Sequence, residues 1–310
     1  MSKATEKYLL SLVLFGSNGV IASLIDLPSP LVVLLRTVLG ALALVAVLAA
    51  SRSRASRRGR AQSPTPLASR AHPRQALYLA ASGAALGVGW LFLFEAYRLI
   101  GVGVASLAYY CGPVIVMALS PVLFGECLTL PKVAGFAAVV CGAFLVVGKV
   151  LGAGMSGWGL FYGAMSAVMY AVMVICSKRV TDIAGLECAT IQLGAAALAV
   201  VVFVAASVAT ESMALPLAQL TRLNAPATLF LGLVNTGGGC YLYFSSIVEL
   251  PVQRVAVCGY LEPLSAVVFS ALLLGEPLTP VNILGGMLIL GGAVFCELAG
   301  QRQRRRIAAA

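Results

Sequence analysis

The stretch "LAYYCGPVIVMALSPVLFGECLT" (residues 107–129) returns in altered form as "VCGYLEPLSAVVFSALLLGEPLT" (residues 257–279). Sliding the chain by 150 positions, without a gap, pairs Tyr110 with Tyr260, Pro113 with Pro263, Ser120 with Ser270 and Gly125-Glu126 with Gly275-Glu276. The same offset pairs Leu128-Thr129 with Leu278-Thr279, Gly135 with Gly285, Gly142 with Gly292, and, upstream, Gly87 and Gly89 with Gly237 and Gly239. Small apolar residues recur by chance in any hydrophobic chain. A common offset for tyrosine, proline and a GE-x-LT turn marks a duplication. One mismatch stands out, because Gly112 of the first copy is answered by Glu262 in the second.

The setting of the repeat is a lipid bilayer. Mean hydropathy is +0.98, with 60% hydrophobic and only 10% charged residues, against roughly a quarter charged in soluble domains. The runs reach the roughly 20 apolar residues a helix needs to cross hydrocarbon, without the alternation of barrel strands. Ten runs are delimited by Pro- and Gly-rich breakers: 7–25, 30–50, 75–97, 101–124, 130–149, 157–177, 186–207, 226–246, 252–273 and 278–298. The reading is therefore an all-α integral membrane protein of ten transmembrane helices in two five-helix repeats. The first repeat is 1–150, including a basic loop at 51–74; the second is 151–300, and a basic tail occupies 301–310. The first run imitates a signal peptide, with Lys3 and Lys7 ahead of it. Its match to the run at 157–177 argues that it is kept as a helix. The eight cysteines show no CxxC pair and no histidine at metal-ligand spacing, so they read as small core residues, with no metal and no cofactor expected.

Charge sets the orientation. The loop "SRSRASRRGRAQSPTPLASRAHPR" is too polar to bury, and between membrane helices it fixes topology and touches anionic lipid rather than nucleic acid. Placing both termini in the cytoplasm puts seventeen of the 21 Lys and Arg on that side, leaving Arg98, Lys149 and Arg222 opposite and Arg36 within a run. That asymmetry is the positive-inside signature. Five spans per copy is an odd number, so the copies run in opposite senses: the first GE turn faces the cytoplasm and the second faces out. Inverted repeats are the architecture of alternating-access carriers, whose site lies near the midplane between the halves.

With these features the chain resembles the drug/metabolite transporter superfamily, specifically its EamA-type members. The resemblance rests on five plus five spans, a basic second loop, Arg36 in the second run, and P-x(11)-GE-x-LT at Pro113 and Pro263. It implies a secondary carrier, usually an exporter of amino acids or related small metabolites, with a cavity between the halves. It does not imply a particular substrate.

A charge in hydrocarbon costs about 2.5–3.5 kcal/mol on insertion scales, so intramembrane ionisable residues are functional candidates. Three qualify: Arg36, Glu95 and Glu262. Glu262 falls roughly 15 Å into its run at 1.5 Å per residue, beside Pro263, whose missing N–H loosens the helix as Pro113 does in the first copy. One reading makes Glu262 the group that holds a cationic amine or carries a proton; the other makes it a neutral, hydrogen-bonded acid. Arg36 and Glu95 are expected to form an ion pair near the outer side, with capture of a substrate carboxylate or gating by Arg36 as the other reading. Asn18, Trp90, Tyr109, Tyr110, Tyr170, Asn235 and Tyr260 offer hydrogen bonds at or near mid-depth and are the expected substrate-binding set with Glu262. Tyr8, Tyr78, Tyr97 and Trp158 lie near run ends and read as interfacial belt residues. No Walker motif, HExxH, GxSxG or acidic cluster occurs, and His72 is the single histidine, so neither ATP drive nor enzyme chemistry has visible apparatus. A membrane-embedded transferase acting on lipid, or a channel, are the alternatives to a carrier.

Overall fold

The computed structural model describes residues 3–57, 67–112, 115–116, 118–119, 123, 130–152, 157–210, 212–213, 223–247, 250 and 258–308. All regular structure among them is helical. The first run forms α1 (Lys3–Gly16) and α2 (Asn18–Ser23), parted only at Ser17. There follow α3 (Ser29–Arg57), α4 (Ala68–Ala71), α5 (Pro73–Ile100), α6 (Val102–Tyr109), α7 (Leu130–Gly152), α8 (Gly157–Ser177) and α9 (Gly185–Ala209). The eighth run is composite: α10 (Ala225–Leu229), a π-helical stretch (Phe230–Gly238) and α11 (Gly239–Ile247). The chain ends with α12 (Leu261–Leu273) and α13 (Pro280–Ala308). Four segments, 29–54, 73–100, 157–177 and 185–209, are each long and apolar enough to cross a membrane unaided.

Local chemistry sets the boundaries. Pro73 opens α5 at a position whose N–H has no intrahelical partner, and Gly101, with φ of +81°, stops it as left-handed glycines do. Asn224 caps α10, its side-chain oxygen accepting from the Ala227 N–H at 3.2 Å. The π-helical turn spans Asn235, Thr236 and the glycines after them; the Thr236 hydroxyl donates to the Leu231 carbonyl, five residues back, at 2.7 Å. Tyr110 and Tyr260, partners under the 150-residue shift, are both turn residues between helical segments. Pro263 therefore acts differently from the expected mid-helix break. It occupies the first turn of α12, where a missing N–H costs nothing, and the interruption falls at Tyr260. Pro113, Gly125 and Glu126 lie outside the described residues.

The packing repeats itself. Under the shift, α5 against α8 answers α11 against α1, and α5 against α9 answers the π-helical stretch against α3; all four contacts are present. The α7–α13 and α3–α9 contacts map onto themselves. Glycine shows this at atomic detail: a Cβ on Gly142 would lie 2.6 Å from the Gly285 carbonyl oxygen, and one on Gly292 would lie 2.8 Å from that of Gly135. The two contacts exchange under the same shift, as a two-fold relation requires. Outside this core, Leu42, Leu198, Val202, Leu264 and Leu272 are exposed, an apolar surface suited to lipid rather than water.

Candidate functional site

A cavity of about 470 Å³ lies between the repeats, within the ordinary range for small-molecule sites. It runs from Trp90 and Glu262 at mid-depth to Ser177 and Lys178 at the C-terminal end of α8. Among the described residues, no wall residue comes from the opposite end, where α5 turns into α6 at Gly101 and Gly275-Glu276 follows α12. The described wall thus reaches one end of the bundle, at Lys178, and not the other.

Seven of the eight sequence-picked candidates meet there: Asn18, Trp90, Tyr109, Tyr110, Tyr170, Tyr260 and Glu262. They come from α2, α5, α6, the turns beside α6 and α12, α8 and α12, hence from both repeats. The Tyr110 side chain lies beside the Glu262 carboxyl, both on the cavity wall. The rings form a connected wall, with Tyr109 edge-on to Tyr170 at 5.2 Å and to Tyr110 at 5.4 Å, and Tyr110 6.5 Å from Tyr260. An acid set among aromatic faces suits an organic cation, which the carboxylate attracts by charge and the rings by their quadrupoles.

The Gly112/Glu262 mismatch has a steric cause on the glycine side. A Cβ on Gly112 would stand 2.6 Å from Cδ1 and 2.9 Å from Cγ of Tyr170. The first repeat leaves this position bare so that the Tyr170 ring can lie on the helix, while the second supplies a carboxylate. Close approach also fixes α12: a Cβ on Gly16 would lie 2.9 Å from the Glu262 carbonyl oxygen and 1.9 Å from the Ser265 hydroxyl.

Asn235 does not line the cavity. It is fully buried behind the wall, donating from Nδ2 to the Leu14 carbonyl at 2.9 Å, the Ser17 hydroxyl at 2.9 Å and Asn18 Oδ1 at 3.2 Å. It thereby braces the α1–α2 joint and orients Asn18.

The expected Arg36–Glu95 ion pair is not formed. Glu95 instead pairs with Arg98, one turn along α5, because three residues is the natural reach on a helix face. Arg36 is buried to 0% exposure. Its Nε donates to Thr236 Oγ1 at 2.9 Å, its Nη2 to Asn18 Oδ1 at 3.4 Å, and its guanidinium lies 4.3 Å from the Trp90 ring centroid and 4.8 Å from that of Phe94. Arg36 Nη1 has no hydrogen-bond partner among the described residues. The side chain sits beneath the cavity floor, holding Trp90 and Asn18 from behind.

Tyr8 departs from its expected belt position: it is 1% exposed, packs 5.5 Å from Tyr243 and lines the cavity. Tyr97 packs on Phe94 at 5.3 Å rather than standing free, whereas Tyr78 and Trp158 are exposed. Gln192, missed in the sequence, also lines the cavity; its Nε2 donates to Ser177 Oγ at 3.1 Å and its buried Oε1 has no partner among the described residues. The signal for it was a glutamine inside an apolar run. Among the described residues no group of three or more potential metal ligands occurs.

Comparison with known proteins agrees with this architecture. The family described as EamA-like transporter family matches twice, over residues 8–148 and 157–297. An uncharacterized transporter, YxxF, of Bacillus subtilis is 24% identical over 294 residues, covering 94% of this chain and 88% of its own. The "Probable amino-acid metabolite efflux pump" of Salmonella typhimurium is 26% identical over 222 residues, 69% of this chain and 73% of its own. A solved crystal structure superposes with a TM-score of 0.60 at 20% identity, over 97% of this chain and 99% of that one, and shares the fold. Two family matches meeting the two structural repeats, around a cavity that both repeats build, place the chain in the EamA-like transporter family of membrane transporters.

Proposed function

We propose that the protein is a secondary carrier of the cytoplasmic membrane that exports a small amine-bearing metabolite of the amino-acid class by alternating access. In this reading ten helices cross the bilayer as two inverted sets of five, with both termini in the cytoplasm. The end of the bundle at Lys178 is then cytoplasmic, and the cavity is in its inward-open form. The reciprocal helix contacts support a two-fold relation between the copies, and five spans per copy make that relation an inversion. The observation that carries the reading is the one-sided cavity with Glu262 at its inner wall. The Salmonella relative's printed name favours efflux, and the arginine-rich loop would hold the cytoplasmic face to anionic lipid.

Glu262 receives the substrate amine or, when the site is empty, a proton. A charge-assisted hydrogen bond is worth about 1.5–3 kcal/mol, so losing it raises the half-saturation concentration about 10- to 150-fold. The test is counterflow of amino acids and related amines in proteoliposomes, wild type against Glu262→Gln, with and without an imposed pH gradient. Counterflow kept but unresponsive to the gradient assigns the proton role; weakened counterflow assigns the amine role. Wild-type transport by the variant at every pH removes Glu262 from both.

A further inference from the structure

At the end of the bundle away from Lys178 the second GE turn is engaged in a contact that joins the repeats. Oε1 of Glu276 accepts from the Val102 N–H at 2.7 Å, and Oε2 accepts from the Gly103 N–H at 2.9 Å. These are the first two amides of α6, which no carbonyl of their own helix can satisfy. The carboxylate also meets the positive end of the α6 dipole. The residues around the contact are shaped to admit it. A Cβ on Gly101, whose φ is +81°, would stand 2.9 Å from Oε1, and a Cβ on Gly103 would stand 3.2 Å from Oε2. On the other side the turn is pre-folded: Gly275 has φ of +69°, and the Leu274 and Glu276 amides both donate to the Ser270 carbonyl, at 3.0 and 3.2 Å.

The two elements joined are those that carry the cavity's acid and the tyrosine beside it. The α6 segment leads into Tyr109 and Tyr110 in the first repeat, and α12 begins with Glu262 in the second. Opening the cavity toward this end requires the start of α6 and the end of α12 to part. At the point of contact they are held by two hydrogen bonds from backbone amides to one carboxylate. We infer that Glu276 is a latch of the transport cycle: it grips the N-terminus of α6 while the cavity is open at the Lys178 end and lets go when the cavity opens at the other.

This inference rests on the alternating-access reading, and sided labelling separates the two. Leu86 lines the cavity, so L86C on a background with the native cysteines replaced reports access to a membrane-impermeant maleimide in right-side-out and inside-out vesicles. In the otherwise wild-type protein, labelling is expected from the Lys178 end only. Glu276→Ala is expected to raise labelling from the Glu276 end at least fivefold and to lower it from the other. Glu276→Gln, which keeps one acceptor oxygen, is expected to give an intermediate ratio, and it serves as the readout if the alanine variant does not accumulate. An unchanged ratio in the folded variants, whatever happens to thermal stability, makes Glu276 a static helix cap and overturns the inference. Equal labelling from both ends in the parent protein overturns alternating access instead.

Discussion

The position at which the repeats disagree offers a quantitative test. Substituting Gly112 with alanine adds one methyl group that would lie 2.6 Å from Cδ1 and 2.9 Å from Cγ of Tyr170, and 3.0 Å from the Ala167 carbonyl oxygen. Ordinary contact between carbon atoms is about 3.5–4.0 Å, so the ring must shift by about 1 Å, and Tyr109 is already packed edge-on against it. Overpacking of this kind costs about 1–3 kcal/mol. Against that, alanine is favoured over glycine within a helix by about 0.8–1 kcal/mol. Gly194 provides the reference, since a Cβ there meets nothing within 4 Å and its substitution receives the helical gain alone. Gly112→Ala should therefore unfold more easily than Gly194→Ala by about 1–3 kcal/mol. Thermal unfolding of both variants in detergent, followed by tyrosine and tryptophan fluorescence, measures the difference. Adding Tyr170→Leu should recover most of the loss, because the coupling belongs to the methyl–ring contact. Equal stability of the two alanine variants, or a deficit that persists without the ring, would refute the steric account of the asymmetry.

Two other variants probe the frame around the site. Arg36→Lys keeps a charge but loses the fork that bonds Thr236 and lies on Trp90; the lost charged hydrogen bond alone predicts about 1.5–3 kcal/mol of destabilisation in the same melts, and a wild-type melting temperature would contradict the hub role. At the bundle end near Lys178, hydrogen bonds from Gln75 and Thr181, with His72 nearby, hold the Asp182 carboxyl below its ordinary value of 3.8. A depressed carboxyl stabilises the fold above the unfolded-state value and loses that contribution as pH falls through the folded one. The melting-temperature gap between wild type and Asp182→Asn should therefore be open at neutral pH and close as pH drops below about 4; a constant gap would contradict it.

The duplication, the helical class and most of the cavity wall were legible in the chain because each follows from a one-dimensional signal. The 150-residue register identifies the repeat, and polar residues inside apolar runs identify groups that must find partners. Partner choice was less legible. Glu95 and Arg36 stood at similar depth, yet Arg98 lies on the same face of the same helix as Glu95, and Arg36 found neutral oxygens and ring faces instead. Tyr8 looked like a belt residue because its depth was counted from the run's start, whereas the helix turns it inward against Tyr243. Asn235 needs partners inside an apolar run, and it finds them at Leu14 and Ser17 rather than in the cavity. The bareness of Gly112 required knowing that Tyr170 crosses it, which no spacing within one helix conveys.

If two related bundles pass through the lipid in opposite senses and share one cavity, their equivalent turns must face opposite compartments. Leu128 and Leu278 occupy equivalent places just after the two GE turns, so L128C and L278C, each in a cysteine-free background, report sidedness directly with an impermeant thiol reagent on intact cells. L278C is expected to be labelled from outside and L128C only after the membrane is opened. Labelling of both from the same compartment would contradict it.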